Sequence, residues 1–364
     1  MSLRPRARPG VFEIEPYVGG ESSVPGRNRI FKLSSNESPL GPSPAAIEAY
    51  RAAASELAAY PKGDPAELRT AIARAHDLEA DRIVLGCGSD ELLHLLAQAY
   101  LGPGDEAIST AYSFIVYRIV TSAASGRNVL TPERAFRADI DAILAAVTAR
   151  TRLVFLANPN NPTGTYISGP ELARLHVALP RDVLLVVDAA YAEYVEEGDY
   201  STGEGLARRH DNVVMTRTFS KAYGLAGLRL GWAYCPPSVH DALERIRGPF
   251  NTSVPAQAAG LAAVSDRAHL KLAVEHNRRW LPELSRAIAA MGIEVVPSVG
   301  NFLLLEFGSV GRADAADRAL RAEGLILRGL KNYGMETMLR LSVGSEEANR
   351  LVVETLGRFV KAAG

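Results

Sequence analysis

Only two cysteines, Cys87 and Cys235, occur among the 364 residues. They lie far apart and neither has a neighbouring ligand pattern, which argues against a disulfide framework and against a zinc site. Both read as small apolar residues near strand ends, and no metal is expected. Net charge is nearly absent, at a formal -1. No global field therefore draws the chain to nucleic acid or to an anionic membrane, and any anion must be held by local charge. Nowhere do apolar residues continue for the roughly 18 positions that a membrane-spanning helix needs. The basic opening, Met1 to Gly10, is followed by no apolar segment, so it does not read as a secretory signal, and a cytoplasmic location is the expectation. Internal repeats and low-complexity tracts are also missing.

What the chain does have is an ordinary globular balance, 47% apolar and 22% charged residues, with length enough for one large domain or two moderate ones. From Asp81 to Cys235 short apolar runs alternate with amphipathic stretches. Strands are expected at Arg82 to Leu85, Ala107 to Ser109, Asn128 to Leu130, Leu153 to Leu156, Val183 to Val187, Val213 to Thr216 and Leu230 to Tyr234. Helical spacing separates several of them, at Asp90 to Tyr100, Phe114 to Ala124, Ile140 to Val147 and Pro170 to Ala178. Continuous apolar strands between helices indicate an α/β fold with a mostly parallel sheet covered on both faces.

After about Pro249 the rhythm changes. A helix from Ala268 to Met291, strands at Asn301 to Phe307, Leu325 to Arg328 and Leu339 to Val343, and helices at Ala315 to Glu323 and Glu346 to Val360 describe a smaller α+β domain. The expected division is an N-terminal arm over 1–35 that joins the small domain, a large domain over 36–255 and a small domain over 256–364.

Four segments carry chemistry, and all follow strands of the α/β part. In Thr216-Arg-Thr-Phe-Ser-Lys221 a lysine stands just past a strand in a Ser/Gly/Ala-rich loop, with Arg229 two turns on. A buried lysine whose charge is paired or whose pKa is lowered can condense with an aldehyde, and Ser220 and Arg229 are donors suited to a phosphate ester. The plainer reading is a surface lysine in a strand-to-helix loop. In Ala157-Asn-Pro-Asn-Asn-Pro-Thr-Gly164 two X-Pro steps and a glycine hold a loop that presents Asn161, able to donate to a phenolate oxygen; a ligand-free turn is the alternative. Asp188 ends the very apolar run Leu184-Leu-Val-Val. There it needs a cation, such as a protonated pyridine nitrogen, or it serves as a helix cap. In Leu85-Gly-Cys-Gly-Ser-Asp90 a Gly-rich strand-to-helix turn aims backbone N–H groups at an anion, or simply starts a capped helix. Together the four supply an amine for an aldehyde, a phenolate donor, a pyridinium counter-charge and a phosphate cup.

With these motifs the sequence resembles the fold-type I aminotransferases, and among them the histidinol-phosphate aminotransferases. The resemblance runs along nearly the whole chain. It takes in Lys32-Leu-Ser-Ser-Asn-Glu-Ser-Pro-Leu-Gly-Pro-Ser-Pro44, Tyr60-Pro61, Ile326-Leu-Arg328 and Leu339-Arg-Leu-Ser-Val-Gly344. It implies a pyridoxal 5'-phosphate enzyme in which Lys221 holds the aldehyde and Asp188 pairs with the ring nitrogen. Asn161 and Tyr191 would bond the ring's O3′ and Phe114 would stack on its face. Ser89, Asp90, Ser220 and Arg229 would surround the phosphate, joined by Tyr60 of a second subunit, hence a homodimer. Arg340 matches the arginine that holds a substrate carboxylate; Arg328 and Tyr17 match positions used for the phosphorylated tail, and Asn36 joins the substrate side. The implied reaction moves the amino group of L-histidinol phosphate to 2-oxoglutarate, in histidine biosynthesis. Aromatic amino-acid aminotransferase and phosphothreonine decarboxylase are rival readings, and a cofactor-sensing regulator is one of a different class; no helix-turn-helix or basic stripe supports the last. Two departures stand out. Asp188-Ala-Ala-Tyr191 lacks the Glu common after the Asp, and Phe114 stands where many relatives have Tyr. Stacking needs only the aromatic face.

Overall fold

The computed structural model describes residues 7, 8 and 10–363. Met1 to Arg6, which lie in the basic opening and in the expected arm, fall outside the described residues. A seven-stranded sheet forms the centre: β1 (Ile83–Gly86), β2 (Glu106–Thr110), β3 (Arg127–Thr131), β4 (Thr151–Ala157), β5 (Leu184–Asp188), β6 (Val213–Thr218) and β7 (Gly231–Tyr234). Their spatial order is β1-β7-β6-β5-β4-β2-β3, with β7 alone running against its neighbours.

The apolar strands read as continuous because both faces are buried. Leu184 and Val186 of β5 enter one core while Leu185 and Val187 enter the other, as the two-residue pleat requires. Every expected strand of this part exists, within two residues at its ends.

A second sheet contains β8 (Glu294–Val296), β9 (Phe302–Glu306), β10 (Arg328–Leu330) and β11 (Met335–Ser342) in the order β8-β9-β11-β10, all antiparallel. Its core includes Trp280, Leu303, Leu341 and Val352, and also Leu33 of the N-terminal segment. Phe31–Lys32 pairs in parallel with Leu325–Ile326. The strand expected over Leu325 to Arg328 is therefore two short strands: the chain leaves the N-terminal segment at Leu327 and joins β11 instead.

The helix Val254–Ser265 packs against Pro44–Ala53 and Ala66–His76, and its Ala259, Ala263 and Val264 belong to the large sheet's core. The two cores part within the helix Arg267–Ala289, whose Leu270 touches the first and whose Trp280 and Leu284 enter the second.

Candidate active site

Register explains why the four motifs meet. Asp188 is directly opposite Ala157 on one side and Thr216 on the other, so β4 and β5 end at one level and β6 runs two residues further. The loop bearing Asn161, the Asp188 carboxylate and the loop bearing Lys221 leave the sheet side by side, at the carboxyl ends where open α/β sheets bind ligands. Because β7 is reversed, its start lies at that same edge: Gly231 faces Gly86 of β1 and Thr218 of β6. This brings Arg229 to the start of the helix Ser89–Tyr100.

One cavity gathers every residue singled out from the sequence except Tyr60. Tyr60 is 81% exposed and stacks on Phe250 at 4.6 Å, outside the cavity of its own chain. Lysine and arginine at positions 221, 229, 328 and 340 face carboxylates at 37, 90 and 188, four cations against three anions, so the cavity favours anionic ligands.

At its floor, Asp188 accepts hydrogen bonds from the Tyr117 hydroxyl at 2.8 Å and the Thr216 hydroxyl at 3.1 Å. Burial pushes its carboxyl up to about 6, while those two bonds pull the other way. Lys221 Nζ donates to the Ser35 carbonyl at 3.0 Å and lies 5.6 Å from the centre of the Tyr191 ring. Burial, reinforced by the Arg340 guanidinium, pushes the amine down to about 8. Tyr191 is pushed up to about 12 by burial and stays a neutral phenol. Its oxygen accepts from Asn36 Nδ2 at 2.9 Å, which leaves its own proton to give. Arg340 donates to Asn161 Oδ1, so the Asn161 amide has its NH2 free to donate.

The phosphate cup is built from Gly88, at φ +81°, and Arg229, itself left-handed at φ +53°. A Cβ at Gly88 would stand 2.3 Å from Arg229 Nη2, so only glycine lets the guanidinium close on the turn. Arg229 reaches Ser220 Oγ and Asp90 Oδ2, each at 3.2 Å, and Ser89 opens the helix whose first N–H groups face the cup. These donors fit a phosphate monoester, Asp188 fits a pyridinium, Phe114 fits a ring face, and Lys221 fits an aldehyde; the residues suit pyridoxal phosphate.

On the opposite wall, Arg328 of β10 is the direct antiparallel partner of Arg340 of β11. Arg340 is buried, donates to the Ser34 carbonyl at 2.7 Å and keeps Nε without a partner among the described residues. Arg328 donates to the Val18 carbonyl at 2.7 Å and sits over the Tyr17 ring. Asn36, expected on the substrate side, lines the cavity but spends its amide on Tyr191.

Sequence reasoning missed Tyr117, Thr216 and Tyr333, all of which reach the cavity or its floor. Tyr117 had a usable signal, standing three residues after Phe114 on one helical side. The missing Glu of the Asp-Ala-Ala-Tyr segment leaves a fully buried Ala189, and Glu193 four residues on forms a buried ion pair with Arg217 at 2.7 Å. Among the described residues no helix is long and apolar enough to cross a membrane, and no group of three His, Cys, Asp or Glu side chains could hold a metal ion.

Fold and site together define a fold-type I aminotransferase. The chain belongs to the family of class I and II aminotransferases, whose pattern it matches over residues 28–356. It is 52% identical over 360 residues to the histidinol-phosphate aminotransferase of Paramagnetospirillum magneticum, covering 98% of this chain and 99% of that one. A Rhodopseudomonas palustris protein of the same name is 52% identical over 361 residues, covering 98% and 99%. Among solved structures, the Sinorhizobium meliloti histidinol-phosphate aminotransferase in complex with pyridoxal-5'-phosphate is 29% identical at a TM-score of 0.85, over 91% of each chain. A mutant Thermus thermophilus aspartate aminotransferase is 27% identical at a TM-score of 0.79, over 90% of this chain and 91% of that one.

Proposed function

We propose that this aminotransferase binds pyridoxal 5'-phosphate and converts L-histidinol phosphate and 2-oxoglutarate to imidazole acetol phosphate and L-glutamate. The names of its half-identical, full-length relatives support the substrate. The observation that carries the reading is the Arg328–Arg340 pair. Like charges placed directly across two strands cost stability, so the site holds them for an anion. Histidinol phosphate brings a phosphate and no carboxylate, whereas glutamate brings two carboxylates. Two guanidiniums on one wall can serve both.

When bound, the cofactor supplies an aldehyde carbon and a ring that accepts electrons. Lys221 would hold its aldehyde carbon, and the Lys221 amine would take the proton from the donor's Cα. An amine pushed down to about 8 is available for that work near neutral pH. Asp188 would hold the ring nitrogen's proton, Asn161 and Tyr191 would donate to the ring oxygen, and Phe114 would cover the ring face. Ser89, Asp90, Ser220 and Arg229 fix the phosphate. Arg340 takes a carboxylate, and Arg328, Tyr17 and Asn36 line the place of the substrate's tail.

The reading includes a homodimer in which Tyr60 completes the partner's phosphate site; its exposure, away from its own cavity, supports this. It also includes a cytoplasmic location. The arm would join the small domain through Phe31–Lys32, with 36–255 and 256–364 as approximate large and small domains. A panel of donors, followed by the cofactor's absorbance, tests the substrate. Preference for phenylalanine, or release of carbon dioxide from phosphothreonine, would sink it. Near-normal turnover by Lys221→Ala would sink the lysine assignment.

A further inference from the structure

We infer that Tyr117 is a positioning residue that keeps Asp188 in its ionised form against the cofactor's ring nitrogen. This rests on the reading of Asp188 given above. Asp188 lies at the end of an apolar strand, beneath a cavity, where a carboxylate left alone would take up a proton. A protonated Asp188 can no longer accept the nitrogen's proton as an ion-pair partner.

Two hydroxyls oppose that outcome, one on each carboxylate oxygen: Tyr117 on Oδ2 at 2.8 Å and Thr216 on Oδ1 at 3.1 Å. Tyr117 makes the shorter bond, and its ring is held by two others. Its ring lies flat on Phe155, 5.1 Å between centres and 4° from parallel, and meets the edge of Phe114 at 5.8 Å and 89°. Its pKa is raised well above 10 by burial and by Asp188 itself, so the phenol stays a donor through the neutral range. The other ionisable groups bearing on Asp188 are Asp90, which disfavours its charge, and the neutral phenols Tyr191 and Tyr200. None of these donates to it among the described residues. Phe114 and Tyr117 thus stand at one turn of chain: one covers the ring face, and the other sets the charge at the ring's far end.

The test is Tyr117→Phe in the holoenzyme, a change that keeps the stacked ring and removes one oxygen. With pyridoxal phosphate labelled at the pyridine nitrogen, the 15N resonance should move from the protonated toward the unprotonated position. The affinity for pyridoxal phosphate and kcat should each fall about tenfold or more, the worth of a hydrogen bond to a charged group. Thr216→Val should move the resonance the same way by a smaller amount. In an Asp188→Asn background, Tyr117→Phe should change kcat less than about twofold, because there is no charge left to hold. An unmoved resonance in Tyr117→Phe, or an equal loss of kcat in both backgrounds, would overturn the inference and leave Asp188 in place. A resonance unmoved by Asp188→Asn itself would instead overturn the reading on which it rests.

Discussion

Lys221 should capture an aldehyde with a pH dependence set by its cavity rather than by the chemistry of a free lysine. With the amine pushed down to about 8 from an ordinary 10.5, the neutral form at pH 7 is about 300-fold more abundant than for an unperturbed lysine. The sign follows from the charge: burial and Arg340 both penalise the ammonium, so the reactive free amine appears at lower pH. Chain stripped of cofactor and mixed rapidly with pyridoxal phosphate should show a capture rate that rises with pH and is half-maximal near about 8. Asp188, pushed up to about 6, bends only the acid end of that profile. Arg340→Gln removes the cation that, after burial, most disfavours the ammonium, so its midpoint should lie above that of the unaltered chain. Arg328→Gln is the control, since Arg328 spends itself on Val18 and Tyr17. A midpoint near 10.5 in the unaltered chain, or one that Arg340→Gln leaves in place, refutes the reasoning.

Arg328→Gln should raise KM for histidinol phosphate about tenfold to a hundredfold, as loss of a charged hydrogen bond would, and steady-state kinetics against a donor lacking phosphate should show a smaller rise. Gly88→Ala puts a Cβ 2.3 Å from Arg229 Nη2 in a left-handed turn, so fluorescence titration should find pyridoxal phosphate bound at least about tenfold more weakly. Glu106 begins β2 with its carboxylate held by Arg127, Arg150 and Thr148, which bring it down to about 2 against the desolvation that would raise it. Its contribution is present above its unfolded value near 4.5 and is lost as pH falls toward about 2. Urea midpoints should therefore separate Glu106→Gln from the unaltered chain at pH 6 and converge in strong acid; a constant gap would show that ionisation is not the cause.

The large sheet was legible because its central strands, such as Leu184–Asp188, are apolar on both faces and bounded by turn residues, and such runs need no partner to be recognised. Lys221, Asp188, Asn161 and Arg229 were legible for a different reason: each alone allows a ligand-free reading, but together they answer the separate demands of one ligand. The role of Tyr117 was hidden because a tyrosine on a helix reads as core; its spacing from Phe114 marks only its side of the helix, and its hydroxyl declares itself when Asp188 is seen 2.8 Å away. The break at Leu327 was hidden as well. Leu325 to Leu330 forms one apolar-rich run, and nothing in it says that two residues pair with the N-terminal segment and three with β11. Partner choice is a property of the rest of the chain, which a local pattern does not contain.

The segment Leu33 to Asn36 shows how the site holds its cations ready. Leu33 donates its N–H to the Ile326 carbonyl and accepts from the Ser342 N–H, so this stretch is laid beside β11 next to Arg340. Two successive carbonyls then face the cavity's cations: Ser34 accepts from Arg340 and Ser35 accepts from Lys221. Asn36, the next residue, donates to Tyr191 and accepts from Ser342. A neutral carbonyl satisfies a guanidinium or ammonium without cancelling its charge. Each cation is therefore oriented while its charge stays uncompensated, and an anion entering the cavity gains an attraction that the backbone cannot supply. The Nε of Arg340, unpartnered among the described residues, marks the same condition. Like charges facing each other across two strands, Arg328 and Arg340 would repel less with an anion between them, which is the direction the proposed binding site requires.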